Sequence, residues 1–229
     1  MNPVRNRTRT LSDLERFNIS NTSSAISNGV KYLIGIDEAG RGPLAGPVSV
    51  GAVMVPVNFD FTLVEGVKDS KKLSEKKRES LFARFEELRE SGQISFVVAF
   101  SPASIIDSKG IVFAIRSALA ATLEKLGARA DECEIRLDGS LKAPEQFTSQ
   151  QTIVRGDDSE PVISMASIAA KVIRDRHMVQ IASQYPAYGF EVHKGYGTAS
   201  HIKVIGERGL SDLHRTSFCS KLLVGSESV

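Results

Sequence analysis

The segment Tyr32-Leu33-Ile34-Gly35-Ile36-Asp37 constrains this chain more than any other stretch. It is a short apolar run that ends in an acid, and Glu38-Ala39-Gly40-Arg41-Gly42-Pro43 follows at once. An apolar run of this length bounded by turn residues reads as a buried strand, and the paired acids stand at its exit. Side chains alternate along a strand, so Asp37 and Glu38 act together only if the chain bends there, a bend Gly40, Gly42 and Pro43 can supply. Taken alone, Asp-Glu-x-Gly also fits a solvated turn. Two further acids weigh against that reading: Asp138, in Leu137-Asp138-Gly139-Ser140, and Asp175, just after a small-residue helical stretch.

Around that strand the pattern predicts an α/β protein. Val48–Val55 and Ile94–Phe100 read as strands, as do Glu134–Asp138 and Thr152–Val154. Ser74 caps a helix with Leu81, Phe82, Phe85 and Leu88 at helical spacing and Gly92 as its stop. Ile111–Leu126 carries an apolar stripe terminated by Gly127. Ile163–Ser183 reads as a long helix, small-residue-rich in its first half and polar in its second, and a helix from Thr198 to about Glu207 follows a Gly-rich loop. Strands alternate with helices in one continuous core without an internal repeat.

Charge restricts the function. The chain has 29 Lys+Arg and 27 Asp+Glu, a net charge of +2. Residues 1–30, a polar segment read as a mobile extension, hold four of the basic and two of the acidic groups, which leaves 25 of each in the remaining 199 residues. A polyanion therefore meets a local patch or metal ions that offset the protein's own acids. Cys133 and Cys219 show no C-x-x-C spacing, which excludes a disulfide framework and a cysteine zinc site and fits a reducing, cytoplasmic setting. No apolar run approaches the roughly 20 residues of a membrane span, and no apolar leader follows the N-terminal arginines.

Four carboxylates gathered in a core cost several kcal/mol per uncompensated charge, so such a cluster implies cations. Oxygen donors without Cys, and without His at ligand spacing, point to Mg²⁺ or Mn²⁺. Asp37, Glu38, Asp138 and Asp175 can hold two such ions roughly 3.5–4 Å apart, the arrangement used in phosphodiester hydrolysis. The dinucleotide fingerprint, the P-loop and the G-x-S-x-G elbow are all missing from the chain.

The run Gly35-Ile36-Asp37-Glu38-Ala39-Gly40-Arg41-Gly42-Pro43-Leu44-Ala45-Gly46-Pro47-Val48 resembles the signature of bacterial ribonuclease HII. Lys68-Asp69-Ser70-Lys71-Lys72-Leu73-Ser74, Leu137-Asp138-Gly139, Ala166–Arg176, His193-Lys194-Gly195-Tyr196-Gly197-Thr198 and His214-Arg215-Thr216-Ser217-Phe218 recur in that family's order, so the resemblance spans about residues 31–220 and leaves 1–30 and a tail at 221–229 outside. It implies an RNase H-like mixed sheet flanked by helices, with a helical C-terminal part. It also implies hydrolysis of the RNA strand of RNA/DNA hybrids and incision of duplex DNA on the 5′ side of an embedded ribonucleotide, by a monomer independent of any membrane. Its catalytic and metal-binding acids fall on Asp37, Glu38, Asp138 and Asp175.

The same resemblance gives the other motifs roles. Gly40-Arg41-Gly42 has side chains missing at two of three positions, so its backbone can approach a 2′-hydroxyl, the group that separates RNA from DNA. Tyr196 is implied to lie beside the sugar that follows the ribonucleotide. Lys68, Lys71, Lys72 and Lys194 are candidate phosphate contacts, although lysine runs also form plain solvated faces. Ser164 and Ser167 read first as close-packing positions, with phosphate contact the lesser alternative, and Ser164 is kept as a candidate nucleic-acid contact. His193, His201 and His214 are assigned to packing or polar surface contacts, and none is expected to be a general base. The chain departs from the family's usual pattern at Ser140, Met165 and Gly197, which bears on fine substrate preference. It lacks the aromatic-rich ending of a clamp-binding peptide.

Overall fold

The computed structural model of the protein describes residues 29–67 and 73–223. In chain order the elements are β1 (Tyr32–Ala39), β2 (Val48–Pro56), a 3-10 turn (Phe61–Val64), α1 (Glu75–Glu90), β3 (Ser95–Ser101), α2 (Ala103–Lys109), α3 (Ile111–Leu126), β4 (Cys133–Asp138) and β5 (Gln150–Ile153), then α4 (Gly156–Ser159), α5 (Pro161–Ala182), α6 (Phe190–His193), α7 (Ala199–Arg208) and α8 (Thr216–Leu223). The long expected elements are present with ends shifted by one to a few residues. Ser74 Oγ caps α1 by accepting from Lys77 N at 3.3 Å, and Gly127 ends α3 in the left-handed conformation. The short helices α2, α4, α6 and α8 were not expected, because one or two turns carry too little apolar periodicity to register. Among the described residues no helix is long and apolar enough to cross a membrane.

The strands form one mixed sheet in the order β3-β2-β1-β4-β5: β1, β2 and β3 pair antiparallel, while β1–β4 and β4–β5 pair parallel. Alternation divides the core in two. Ile34, Ile36, Val48, Val50 and Ala52 face α3 through Ile115, Leu119 and Leu123. Val53 and Val55 face Phe82 and Phe85 of α1 and Met165, Ile168 and Ala169 of α5. On the second face β1 and β2 carry Gly35, Ser49 and Gly51 beneath α5, so the helix backbone comes into direct contact with the sheet. Ser49 Oγ donates to Ala170 O at 3.2 Å. This approach places the middle of α5 beside the end of β1.

The C-terminal helices grip the loop that leaves β1. Ala45 forms a β-bridge with His214, Gly46 N donates to Leu213 O at 2.8 Å, and Leu44 N donates to Gly195 O at 2.8 Å. Beneath these bonds His193, His201 and His214 are buried together, with the His193 and His201 rings stacked at 4.2 Å. Their partners fix each tautomer. His193 Nδ1 accepts from Gly195 N, so Nε2–H donates to Tyr188 O at 2.8 Å. His201 Nδ1–H donates to Tyr196 O at 2.9 Å, which leaves Nε2 to accept from His214 Nε2–H at 3.0 Å. His214 Nδ1 in turn accepts from Ser211 N. Every ring nitrogen is thus satisfied with all three imidazoles neutral.

Burial, then the neighbouring His201, pushes His214 down from 6.5 to about 4. Burial also lowers His201. At these two imidazoles the unfolded chain therefore binds more protons than the fold below pH 6.5, and their contribution to stability falls as pH drops from there towards 4. For His214 the loss is on the order of 3 kcal/mol. Urea melts between pH 7 and pH 4 should show it, and His214→Gln should flatten the profile. An unchanged slope in that variant would place the acid sensitivity elsewhere.

Candidate active site

A cavity of about 350 Å³ opens at the carboxyl ends of β1 and β4, lined by Asp37, Glu38 and Asp138, by the Gly40-Arg41-Gly42 loop, and by Arg78, Ser167, Lys171 and Tyr196. Strand register brings the acids together. The last parallel pair is Ile36 with Leu137, so Asp37 and Asp138 stand side by side one residue beyond it. The expected bend comes later than the acids: Glu38 still pairs with Val50, β1 runs to Ala39, and the chain turns at Gly40, whose φ is +84°. Both acids reach the cavity because it lies at the sheet's end rather than over one face.

Asp37 is the electrostatic centre. It is 2 % exposed, its Oδ1 accepts from Glu38 N at 2.7 Å, and its Oδ2 is buried without a hydrogen-bond partner among the described residues. Burial, followed by the charges of Glu38 and Asp138, pushes this carboxyl well above the usual carboxylate range, while bonds from the Ser167 hydroxyl and the Glu38 N–H pull the other way. A buried acceptor with nothing to accept from, pressed by two like charges, is a position where a cation lowers the energy.

Asp175 sits apart from this group. It is buried on α5 but does not line the cavity, and its Oδ1 lies 2.9 Å from Lys171 Nζ. Glu38 is likewise paired, with Arg41 Nη1 at 3.1 Å. Among the described residues no three acid, imidazole or thiolate groups converge into a ready-made cation cage. The donor chemistry nevertheless fits a hard divalent ion: carboxylate oxygens only, one of them orphaned, with no thiolate or imidazole nearby.

The remaining expected residues divide. Arg41 and Tyr196 reach the cavity, and the Tyr196 ring lies 5.1 Å from Lys171 Nζ and 5.8 Å from Arg174 Cζ. Ser164 needs correction. It is fully buried and its hydroxyl donates to Asp157 O at 2.7 Å and to Glu160 O at 3.0 Å, so it takes the close-packing role and secures the start of α5. Its neighbour Ser167 is the serine that faces Asp37. Lys194 has φ +52° and turns its ammonium to Glu191 O, outside the cavity. Lys68, Lys71 and Lys72 lie outside the described residues. Lys171 and Arg78 were not singled out from sequence, although the i, i+4 spacing of Lys171 and Asp175 was a usable signal for the former.

Comparison with known proteins agrees with the geometry. A family model described as ribonuclease HII matches residues 34–221. A ribonuclease HII of Caldicellulosiruptor bescii is 42 % identical over 198 residues, covering 86 % of this chain and 91 % of that protein. One of Ruminiclostridium cellulolyticum is 43 % identical over 194 residues, covering 85 % and 72 %. Among solved structures, an RNase HII from Archaeoglobus fulgidus, determined as a complex with PCNA, superposes with a TM-score of 0.65 at 26 % identity over 83 % of this chain and 96 % of that one. Strand-end acids, a glycine loop beside them and a match running through nearly all of the folded chain lead to one assignment: this chain belongs to the ribonuclease HII family.

Proposed function

We propose that Asp37, Glu38, Asp138 and Asp175 form the catalytic and metal-binding set with which this endonuclease hydrolyses the RNA strand of RNA/DNA hybrids and incises duplex DNA on the 5′ side of an embedded ribonucleotide, leaving 3′-hydroxyl and 5′-phosphate ends. The observation that carries the reading is the orphaned Asp37 oxygen, buried between like charges at the mouth of a cavity whose other wall is a glycine loop. Two Mn²⁺ or Mg²⁺ ions, when bound by these four acids, would supply the chemistry of activating water and stabilising the departing 3′-oxygen.

The chain's own residues do the rest. Ser167 and the Glu38 N–H hold the Asp37 carboxylate in one orientation. Lys171 holds Asp175 close to the cavity wall and adds a positive charge beside the phosphate path. Gly40, Arg41 and Gly42 meet the ribonucleotide through their backbone, and Tyr196, 39 % exposed beside them, offers its ring to the following sugar. Lys68, Lys71, Lys72 and Lys194 serve as phosphate contacts. The protein acts as a monomer in the cytoplasm, where Cys133 and Cys219, both buried and free, stay reduced.

A gel assay on duplex DNA containing one ribonucleotide, with and without Mn²⁺, tests this. Metal-dependent cleavage on the 5′ side of the ribonucleotide is the expected result. Cleavage of long hybrid tracts alone would remove the single-ribonucleotide activity, and binding without cleavage would overturn the catalytic reading.

A further inference from the structure

Arg215 is 0 % exposed and forms no ion pair among the described residues. Its three guanidinium nitrogens each donate to a different backbone carbonyl of one loop: Nη2 to Gly40 O at 2.7 Å, Nη1 to Arg41 O at 3.0 Å, and Nε to Gly46 O at 3.0 Å. Its own N–H donates to Leu44 O at 2.7 Å, and its guanidinium lies 5.2 Å from the Phe218 ring. Arg174, also fully buried, adds bonds to Pro47 O at 2.9 Å and Ala45 O at 3.4 Å. Arg174 also donates to Lys194 O at 3.1 Å and lies 4.0 Å from Asp175 Oδ1, whereas Arg215 gives every side-chain bond to carbonyls of this one loop; a buried cation so committed holds a backbone conformation.

That conformation follows from peptide geometry. A trans peptide sets its C=O and N–H on opposite sides, and the described residues contain no cis bond. With the Gly40 and Arg41 carbonyls drawn inward onto Arg215, the N–H groups of Arg41 and Gly42 point to the loop's other side. The cavity lies there: Gly40, Arg41 and Gly42 line it and Arg215 does not. Neither amide has an acceptor among the described residues. Gly40 in turn leaves room for the clamp, because a Cβ there would meet Arg174 Nε at 2.1 Å.

We propose that Arg215 is a positioning residue for sugar recognition: its buried guanidinium fixes two carbonyls so that the Arg41 and Gly42 amides are presented as a pair of donors to the ribose 2′-hydroxyl oxygen. This rests on reading the Gly40–Gly42 loop as the 2′-hydroxyl contact. Arg215 itself touches no substrate. Its effect is on the discrimination between ribose and deoxyribose, not on metal binding or on the acids.

The test measures, by fluorescence anisotropy without metal, the affinity for a duplex with one ribonucleotide relative to the same duplex in all-DNA form. This ratio is internal to each protein and does not depend on the fraction folded. Arg215→Lys keeps the buried charge but reaches only one carbonyl. It is expected to reduce the wild-type preference about tenfold, the loss of two neutral hydrogen bonds, while the Mn²⁺-binding midpoint stays unchanged. A role confined to stability would lower the melting temperature and leave the ratio as it was, which overturns the proposal. A wild-type ratio near one overturns the loop reading itself. Amide exchange in the wild-type protein gives a second measurement independent of any variant's folding. The Arg41 and Gly42 amides are expected to gain protection on the ribonucleotide duplex only, and equal protection on both duplexes also overturns the assignment.

Discussion

Asp138→Asn is expected to lower the turnover rate on an RNA/DNA hybrid about a thousandfold, roughly 4 kcal/mol of barrier, with little change in the melting temperature of the metal-free protein. The two halves of this expectation have separate causes. Asp138 Oδ1 accepts from Asp157 N at 3.4 Å, and an asparagine oxygen accepts there equally, so β4 and α4 keep their connection. What the substitution removes is charge. Asp138 is one of the two like charges that push the Asp37 carboxyl upward, so in the variant Asp37 returns part of the way towards an ordinary carboxylate. The metal-free fold is therefore as stable as wild type or slightly more so, while affinity for the divalent ion drops with the lost ligand. Single-turnover cleavage in Mn²⁺ beside melts with and without metal measures both, and wild-type turnover in the variant would sink the assignment of Asp138. Metal should raise the melting temperature of wild type more than that of the variant, since a ligand stabilises only the state that binds it.

The convergence of Asp37 and Asp138 on one cavity was legible because each stands at the close of a short apolar run, whereas Asp175, where a small-residue helix turns polar, lies outside that cavity. Their positions follow from strand register and helix phase, both local. Other residues needed information that is not local. Ser164 and Ser167 lie three residues apart on one helix, and which of them faces Asp37 depends on where α5 rests on the sheet, set by Gly35 and Gly51 more than a hundred residues earlier. Nothing in the local sequence marks Arg174 and Arg215 for burial, yet both are fully buried, with carbonyls of residues 40–47 accepting from them. Of the two readings offered for the three histidines, packing or polar surface contacts, the fold takes the first: all three are buried, and their mutual bonding joins segments that only the tertiary fold brings together.

Burial of those two cations also refines what the neutral charge balance of the folded part means. Arg174 and Arg215 contribute to the basic count but present no charge at the surface; burial, then repulsion from Arg174, lowers Arg215 to about 10, so it stays protonated at neutral pH. Of the cations at the cavity, Arg41 and Lys171 are paired with Glu38 and Asp175 respectively. Among the described residues polyanion binding there thus draws on few unpaired positive charges, and bound divalent ions would add to them. Affinity for a hybrid should consequently depend on metal as well as on salt.

Gly35→Ala is expected to destabilise the protein by about 3 kcal/mol or more, lowering the melting temperature by roughly 6–12 °C or preventing soluble folding. A Cβ at this position would lie 2.1 Å from Val162 O, 2.3 Å from Val162 C and 2.7 Å from Ile163 N, all backbone atoms of α5. No rotamer change relieves such a clash; either α5 withdraws or β1 is pushed out of the sheet. β1 cannot move freely, since it is paired along its length with β2 on one side and through Ile36 with β4 on the other. α5 is pinned one and two turns further on, where a Cβ at Gly51 would lie 2.6 Å from Ala166 O and where Ser49 Oγ bonds Ala170 O. Withdrawal of α5 would also draw Ser167 away from Asp37 and carry Asp175 farther from the strand-end acids, so any folded fraction should show weaker metal binding. Gly42→Ala is the matched control: its φ is not positive, its Cβ would meet nothing within 4 Å, and its melting temperature should lie within about 2 °C of wild type. A Gly35→Ala protein that melts with Gly42→Ala would show that α5 does not rest on the β1 backbone.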